Sequence, residues 1–321
     1  MKKIAVMVIS FLLFIPFASI NGNNVALTNS TNGNVLYVGG SGPNNYTSIQ
    51  SAINDASNGY AIYVYPGNYN ESIVINKSIS LIGIEQNGEK PVIDGGGRSF
   101  AINITADGCI VKQFKIINYG DPSNLYIGDG LNAFSDYNTI DNNGIECSST
   151  AIFMSNASLN TVTNNTITNT GGIGICMVYE SSNNLIKQNN VSDTSDFGIY
   201  VDRSCDNIIT ENMIIRSFDG IDLDEGANNT IISYNTILHS SQYGVAIGSS
   251  HYSKIIGNNI SYNGCDGILI TDSSYTEVYD NIVFHNGWDG IELKAPAAYT
   301  KYNKIAHNSI LYNGLIGVYI W

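Results

Sequence analysis

The sequence predicts an all-β fold, a single-stranded right-handed parallel β-helix built from coils of about 23 residues. Three observations carry that prediction. The tripeptide Asn-x-Ile/Val recurs at Asn165, Asn189, Asn212, Asn235, Asn258, Asn281 and Asn308, at intervals of 24, 23, 23, 23, 23 and 27 residues. Gly followed by Ile or Val keeps step with it at Gly174, Gly198, Gly220, Gly244, Gly267, Gly290 and Gly317, and a polar residue followed by x-Ile/Val does so from Asn160 to Asn303. No part of this region has apolar residues at helical spacing long enough to cover a sheet.

Each element follows in chain order. Residues 1–22 read as a signal peptide, with Lys2 and Lys3 ahead of an apolar run from Ile4 to Phe17 and then the small residues Ala18 and Ser19. That run is short for a membrane span, so no stable span is expected after its removal. Residues 23–45 read as an N-terminal extension, and 46–321 as the β-helix domain. Within 46–58, Thr47-Ser48-Ile49-Gln50 has capping-box spacing, and Ile49, Ala52, Ile53 and Ala56 share one helical face, which predicts a short capping helix over the first coil. Thereafter short apolar alternations such as Ile221-Asp222-Leu223, Ile231-Ile232 and Ile237-Leu238 are separated by Gly, Asn, Ser and Asp, so each coil holds three strands between turns. Roughly eleven coils are expected. Stacked at about 4.8 Å, they bring equivalent asparagines into a ladder of side-chain amides and the inward Ile, Val and Leu into one core.

The segment Ser48 to Gly83 (SIQSAINDASNGYAIYVYPGNYNESIVINKSISLIG) and the repeats after it resemble the pectin-lyase-like β-helix proteins, most of all the NosD-type periplasmic and archaeal cell-surface proteins. The resemblance implies a secreted, periplasmic or cell-surface protein. It does not imply one chemistry, because lyases, hydrolases, epimerases and adhesins share this scaffold. The NosD likeness also implies a role in copper-enzyme maturation, which would need soft or imidazole ligands gathered together. The four histidines do not supply them: His239 and His285 share a column two coils apart, and His251 and His307 lie in other turns.

Composition narrows the partners. With 14 Lys and Arg against 27 Asp and Glu, and a net charge of -13, the chain lacks the basic surface that nucleic acid requires. Its five cysteines are widely spaced without a CxxC pair, which reads as separate thiols. Asn-x-Ser/Thr sequons such as Asn156, Asn190 and Asn259 are candidate glycosylation sites, although a chain so rich in Asn, Ser and Thr produces them by composition.

Candidate chemistry sits where outward columns of neighbouring coils meet. One column reads Asn132, Phe153, Cys176, Tyr200, Asp222, Ala246, Leu269, Glu292 and Tyr319; a second, Val178, Asp202, Asp224, Gly248, Thr271 and Lys294. A turn column reads Asp129, Asp196, Asp219, Asp266 and Asp289, and a fourth Asn169, Asp193, Arg216, His239, Tyr262, His285 and Tyr312. Together they are expected to converge around residues 193 to 292. Stacked carboxylates repel unless a cation bridges them, so Asp196, Asp202, Asp219 and Asp224 are candidate ligands for Ca²⁺, the one cofactor the pattern allows. Two functional classes follow. A glycan-binding protein would engage polysaccharide or cell-envelope glycan through Tyr200, Tyr262 and Glu292. An enzyme, a lyase, epimerase or glycoside hydrolase, would use His239, Arg216 and Tyr243 around the substrate carboxylate, or Asp219 and Asp222 as acid and base. A bland alternative accompanies the turn aspartates, since Asp-Gly is favoured by turn geometry alone. A surface-layer scaffold that self-associates through its C-terminal coil is the non-catalytic third reading.

Overall fold

The computed structural model describes residues 34–118, 129–294 and 300–321; the expected signal peptide lies outside the described residues. The described chain winds as a parallel solenoid of three sheets, of 12, 11 and 11 strands, so the stack is slightly taller than the sequence suggests. In each coil the chain crosses a first face (for example Ile231–Ser233), a second (Thr236–Leu238) and a third (Val245–Gly248). Every strand pairs in parallel with its equivalents in the adjacent coils. The coil 231–248 lies between 208–224 and 254–271 on all three faces.

Alternation decides which side chains face in. Ile209, Ile232, Ile255 and Val278 stack inside the first face, Ile214, Ile237, Ile260 and Val283 inside the second, and Ile221, Val245, Ile268 and Ile291 inside the third, all fully buried. Each such side chain contributes about 2 kcal/mol through burial. The first sheet strand is Val35–Val38, inside the stretch read as an N-terminal extension. Val38 is already buried there, and Tyr37 stacks on Tyr63 with ring centroids 5.8 Å apart.

The capping helix spans Ile49–Asp55, shorter than the expected 46–58, and buries Ile49, Ala52 and Ile53. Its N-cap is Ser48, one residue after the expected Thr47. Glu71 from a neighbouring coil accepts the Ile49 and Gln50 amides at 2.8 and 3.0 Å, leaving Gln50 free to accept the Val74 amide at 2.7 Å. Lys77 closes the other end, donating to the carbonyls of Ile53, Asn54 and Ala56.

The asparagine ladder forms as expected, at the corner between the first and second faces. Asn143, Asn165, Asn189, Asn212, Asn235, Asn258 and Asn281 each donate both the backbone amide and Nδ2 to Oδ1 of the next asparagine, ending on Asn308. The ladder satisfies polar groups that the turn would otherwise bury unpaired. From Asn169 onward the corner between the second and third faces turns through a left-handed residue in each coil, with φ of 53° at Asn169, 57° at Asp193, 58° at Arg216, 57° at His239, 59° at Tyr262 and 54° at His285.

Candidate functional site

Register places the first two outward columns as the alternation predicts. On the third face Cys176, Tyr200, Asp222, Ala246, Leu269, Glu292 and Tyr319 are partners in successive strands, as are Asp202 with Asp224 and Gly248 with Thr271 and Lys294. Tyr200 lies against Phe197 with ring centroids 4.8 Å apart, a packing partner that the column reading missed. The next coil presents only Ala246 and Gly248 beside Asp222 and Asp224, and a Cβ on Gly248 would sit 3.1 Å from Asp224 Oδ1.

The turn column is offset by one residue. The Phe218 amide donates to the Asp196 carbonyl and the Gly198 amide to the Asp219 carbonyl, so Asp196 lies level with Phe218, and Phe197 with Asp219. A 22-residue interval between Gly198 and Gly220 hides this shift. Asp219, Asp266 and Asp289 do share a level, and each has a structural duty: their Oδ1 atoms accept the amides of Tyr243, Asp289 and Ile316 at 2.8, 2.8 and 2.7 Å. The side chain of Asp129 lies outside the described residues.

Electrostatics single out Asp222. Burial, followed by the charges of Asp219, Asp224 and Asp196, pushes its carboxyl up to about 8. Asp219 is pushed up to about 6, by burial first, against the lowering effect of the Tyr243 amide, with Asp196 adding to the rise. Asp196 is raised by burial alone. Tyr200 is held well above the ordinary phenol range by burial and then by Asp202, Asp224, Asp222 and Cys176, and Tyr243 is raised by burial ahead of its acidic neighbours. A second acidic pair stands higher on the same face: Asp266 is raised by burial first, with Glu292 adding to the rise, and Glu292 accepts Trp321 Nε1 at 2.8 Å. The sequence named both residues but gave no sign that they meet.

The fourth column stays apart in its bonding. Arg216 donates Nε to Asp193 Oδ1 at 2.6 Å and Nη2 to Asp193 Oδ2 at 2.8 Å. Exposed His239 stacks on Tyr262 at 5.3 Å, Tyr262 on His285 at 5.2 Å, and His285 on Tyr312 at 5.4 Å. Among the described residues no hydrogen bond or ion pair links Arg216 or His239 to the third-face carboxylates. Both ring faces of Tyr262 are covered by histidines, which removes it as a flat platform for a sugar.

Among the described residues no group of three or more His, Cys, Asp or Glu is placed to hold an ion. Asp202 shows why: it turns one oxygen to Arg203, at 2.7 Å from Nη2, and buries the other. For copper, Tyr262 separates His239 from His285, and His251 Nδ1 accepts the Ser274 amide. Cys109, Cys205 and Cys265 form no disulfide, and Met177 is buried in the core while Cys176 belongs to the outward column.

Comparison with known proteins bears out the resemblance read from the repeats. Residues 177–289 match the family model described as periplasmic copper-binding protein (NosD). A cell surface glycoprotein of Methanothermus fervidus is 33% identical over 167 residues, which is 49% of this chain and 26% of that protein, so the match spans about a quarter of the relative's length. Among solved structures, the A-module of a mannuronan C-5 epimerase from Azotobacter vinelandii superposes with a TM-score of 0.60 at 14% identity, over 85% of this chain and 92% of that one. A lacto-N-biosidase from Eubacterium ramulus gives 0.62 at 12% identity, over 89% and 68%. At these identities the structural likeness shows a shared fold. Among the described residues no helix is long and apolar enough to cross a membrane.

Proposed function

We propose that the chain is a cell-surface β-helix protein that binds polysaccharide along the acidic third face, at Tyr200, Asp219 and Asp222. The observation that carries the reading is the column Tyr200–Asp222–Ala246, in which an aromatic hydroxyl and a carboxyl raised to about 8 stand beside a residue with almost no side chain. At neutral pH such a carboxyl is protonated and offers both a donor and an acceptor, which suits sugar hydroxyls. The surface-glycoprotein relative and the periplasmic family match support a location outside the cytoplasm. Calorimetric titration with acidic and neutral polysaccharides tests the reading. Tyr200→Ala and Asp222→Ala should each weaken binding at least tenfold, and unchanged affinity in both would remove the third face as the site.

One observation favours a catalytic version of the same site. Asp219 and Asp222 lie three residues apart with carboxyls raised to different extents, about 6 and about 8, as an acid and base pair for glycoside hydrolysis requires. Release of reducing ends from a bound polysaccharide, lost in Asp219→Asn, would establish it. The scaffold reading predicts instead that light scattering finds self-association and that no glycan binds.

A further inference from the structure

A second recess lies on a different face. The hairpin closed by the Gln86 and Glu89 backbone pair stands beside the outer side of the second sheet, near the N-terminal end of the solenoid. Between them is a cleft of about 720 Å³ whose lining includes Asn68, Lys90, Lys115, Gly144, Glu146 and Thr166. That volume falls within the range of small-ligand sites. Asn68, Val92, Lys115, Gly144 and Thr166 occupy one outward column, so the cleft crosses five consecutive coils. Gly144 is what leaves room in it. It is a strand residue outside the left-handed φ region, and a Cβ built there meets nothing within 4 Å, so no close approach of backbone requires glycine.

The charges in the cleft differ from those of the rest of the molecule. In a chain of net charge -13, two lysines line it beside two glutamates, Glu89 and Glu146, so the charges of its lining balance. Lys115 is paired with Glu146 at 3.3 Å. Among the described residues Lys90 has no acidic ion-pair partner: its ammonium donates to Asn142 O at 2.7 Å and to Asn142 Oδ1 at 2.9 Å. Those two bonds fix the charge at the edge of the cleft and leave one of three ammonium protons unspent. The side chains around it, asparagine amides, a threonine hydroxyl, the Glu89 carboxylate and an ion pair, offer hydrogen-bonding groups suited to hydroxyls beside the apolar Val92.

From this juxtaposition we infer that the cleft between the 86–89 hairpin and the second sheet binds a short acidic oligosaccharide, with the Lys90 ammonium holding its carboxylate and Gly144 providing the floor. The site is separate from the third face and does not depend on its function.

The test uses the whole chain carrying Tyr200→Ala and Asp222→Ala, so that the third face contributes nothing, titrated calorimetrically with trigalacturonate and with the neutral trisaccharide maltotriose. Trigalacturonate should bind in this background and maltotriose at least tenfold more weakly. Gly144→Tyr, which fills the cleft at a position where an aromatic strand residue is tolerated, should abolish binding while the thermal transition is retained. Lys90→Gln should remove the preference for the acidic sugar. Absence of binding in the background chain, equal binding in Gly144→Tyr, or an undiminished acidic preference in Lys90→Gln would each overturn the proposal.

Discussion

Arg216 grips Asp193 of the preceding coil through two parallel hydrogen bonds of 2.6 and 2.8 Å, so this cation is already paired at a corner. The pair lowers the Asp193 carboxyl, chiefly through the bonds from Arg216. It is also exposed, and exposed pairs contribute little to stability. Arg216→Ala should therefore leave polysaccharide affinity intact and lower Tm only slightly. Calorimetric titration beside a thermal scan checks both, and a large loss of affinity would return Arg216 to the site.

Stability should fall as pH rises through the neutral range. Asp222, Asp219 and Asp196 all have folded-state pKa values above those of the unfolded chain. They hold extra protons when folded, so their contribution is fully present below about pH 4 and is lost as pH climbs through about 6 and then about 8. Each unit of upward shift corresponds to about 1.4 kcal/mol. Asp193, shifted the other way, has finished titrating below this window. Tm should be lower at pH 9 than at pH 5, and Asp222→Asn should flatten the profile and raise Tm at pH 9. A wild-type profile that rises over this window would contradict a protonated Asp222.

Asn235 joins three coils. Its Oδ1 accepts the Asn212 amide and Nδ2 at 2.9 and 3.0 Å, and its Nδ2 donates to Ile209 O and Asn258 Oδ1 at 2.9 and 3.0 Å. Asn235→Ala strands a buried amide and a buried carbonyl, at about 1–3 kcal/mol for each. Urea denaturation should show a loss of about 3 kcal/mol or more, whereas the exposed neighbour Tyr234→Phe should change nothing measurable.

The Gly-Ile/Val marker has a steric origin. A Cβ at Gly198 would meet the Gly220 carbonyl oxygen at 2.6 Å, and one at Gly267 the Gly290 oxygen at 2.7 Å; Gly220 faces the Gly244 oxygen and Ile237 in the same way. Because the obstacle is the backbone of the next coil, it cannot turn aside. Gly220→Ala should lower Tm sharply or prevent folding, while Gly144→Ala, with open space around its Cβ, should be silent. Equal Tm values for the two would refute the packing argument.

These details show what the sequence could and could not convey. The ladder, the inward columns and the order Tyr200–Asp222–Ala246 were legible because one period governs them all. Asp196 was misplaced because a 22-residue interval sits next to one of 24, and a slip of one residue is invisible when only the turn type is read. The pairing of Arg216 with Asp193 was hidden differently. Both stood in the same predicted column, but sharing a column says nothing of whether two side chains satisfy each other or reach towards a third. The recess beside Gly144 was missed because its far wall is a hairpin outside the repeat, which no period predicts.

The left-handed corner between the second and third faces separates two demands on each rung. Asn169, Asp193, Arg216, His239, Tyr262 and His285 hold nearly the same φ, so an amide, an acid, a guanidinium, an imidazole and a phenol all mount on one backbone shape. Each is interchangeable as far as the core is concerned, since the inward contacts belong to neighbouring residues. The edge can thus change its charge or hydrogen-bonding character in steps of one coil, about 4.8 Å, while the buried lattice beneath stays as it was. Selection for what this edge touches and selection for whether the chain folds consequently act on different atoms of the same rung.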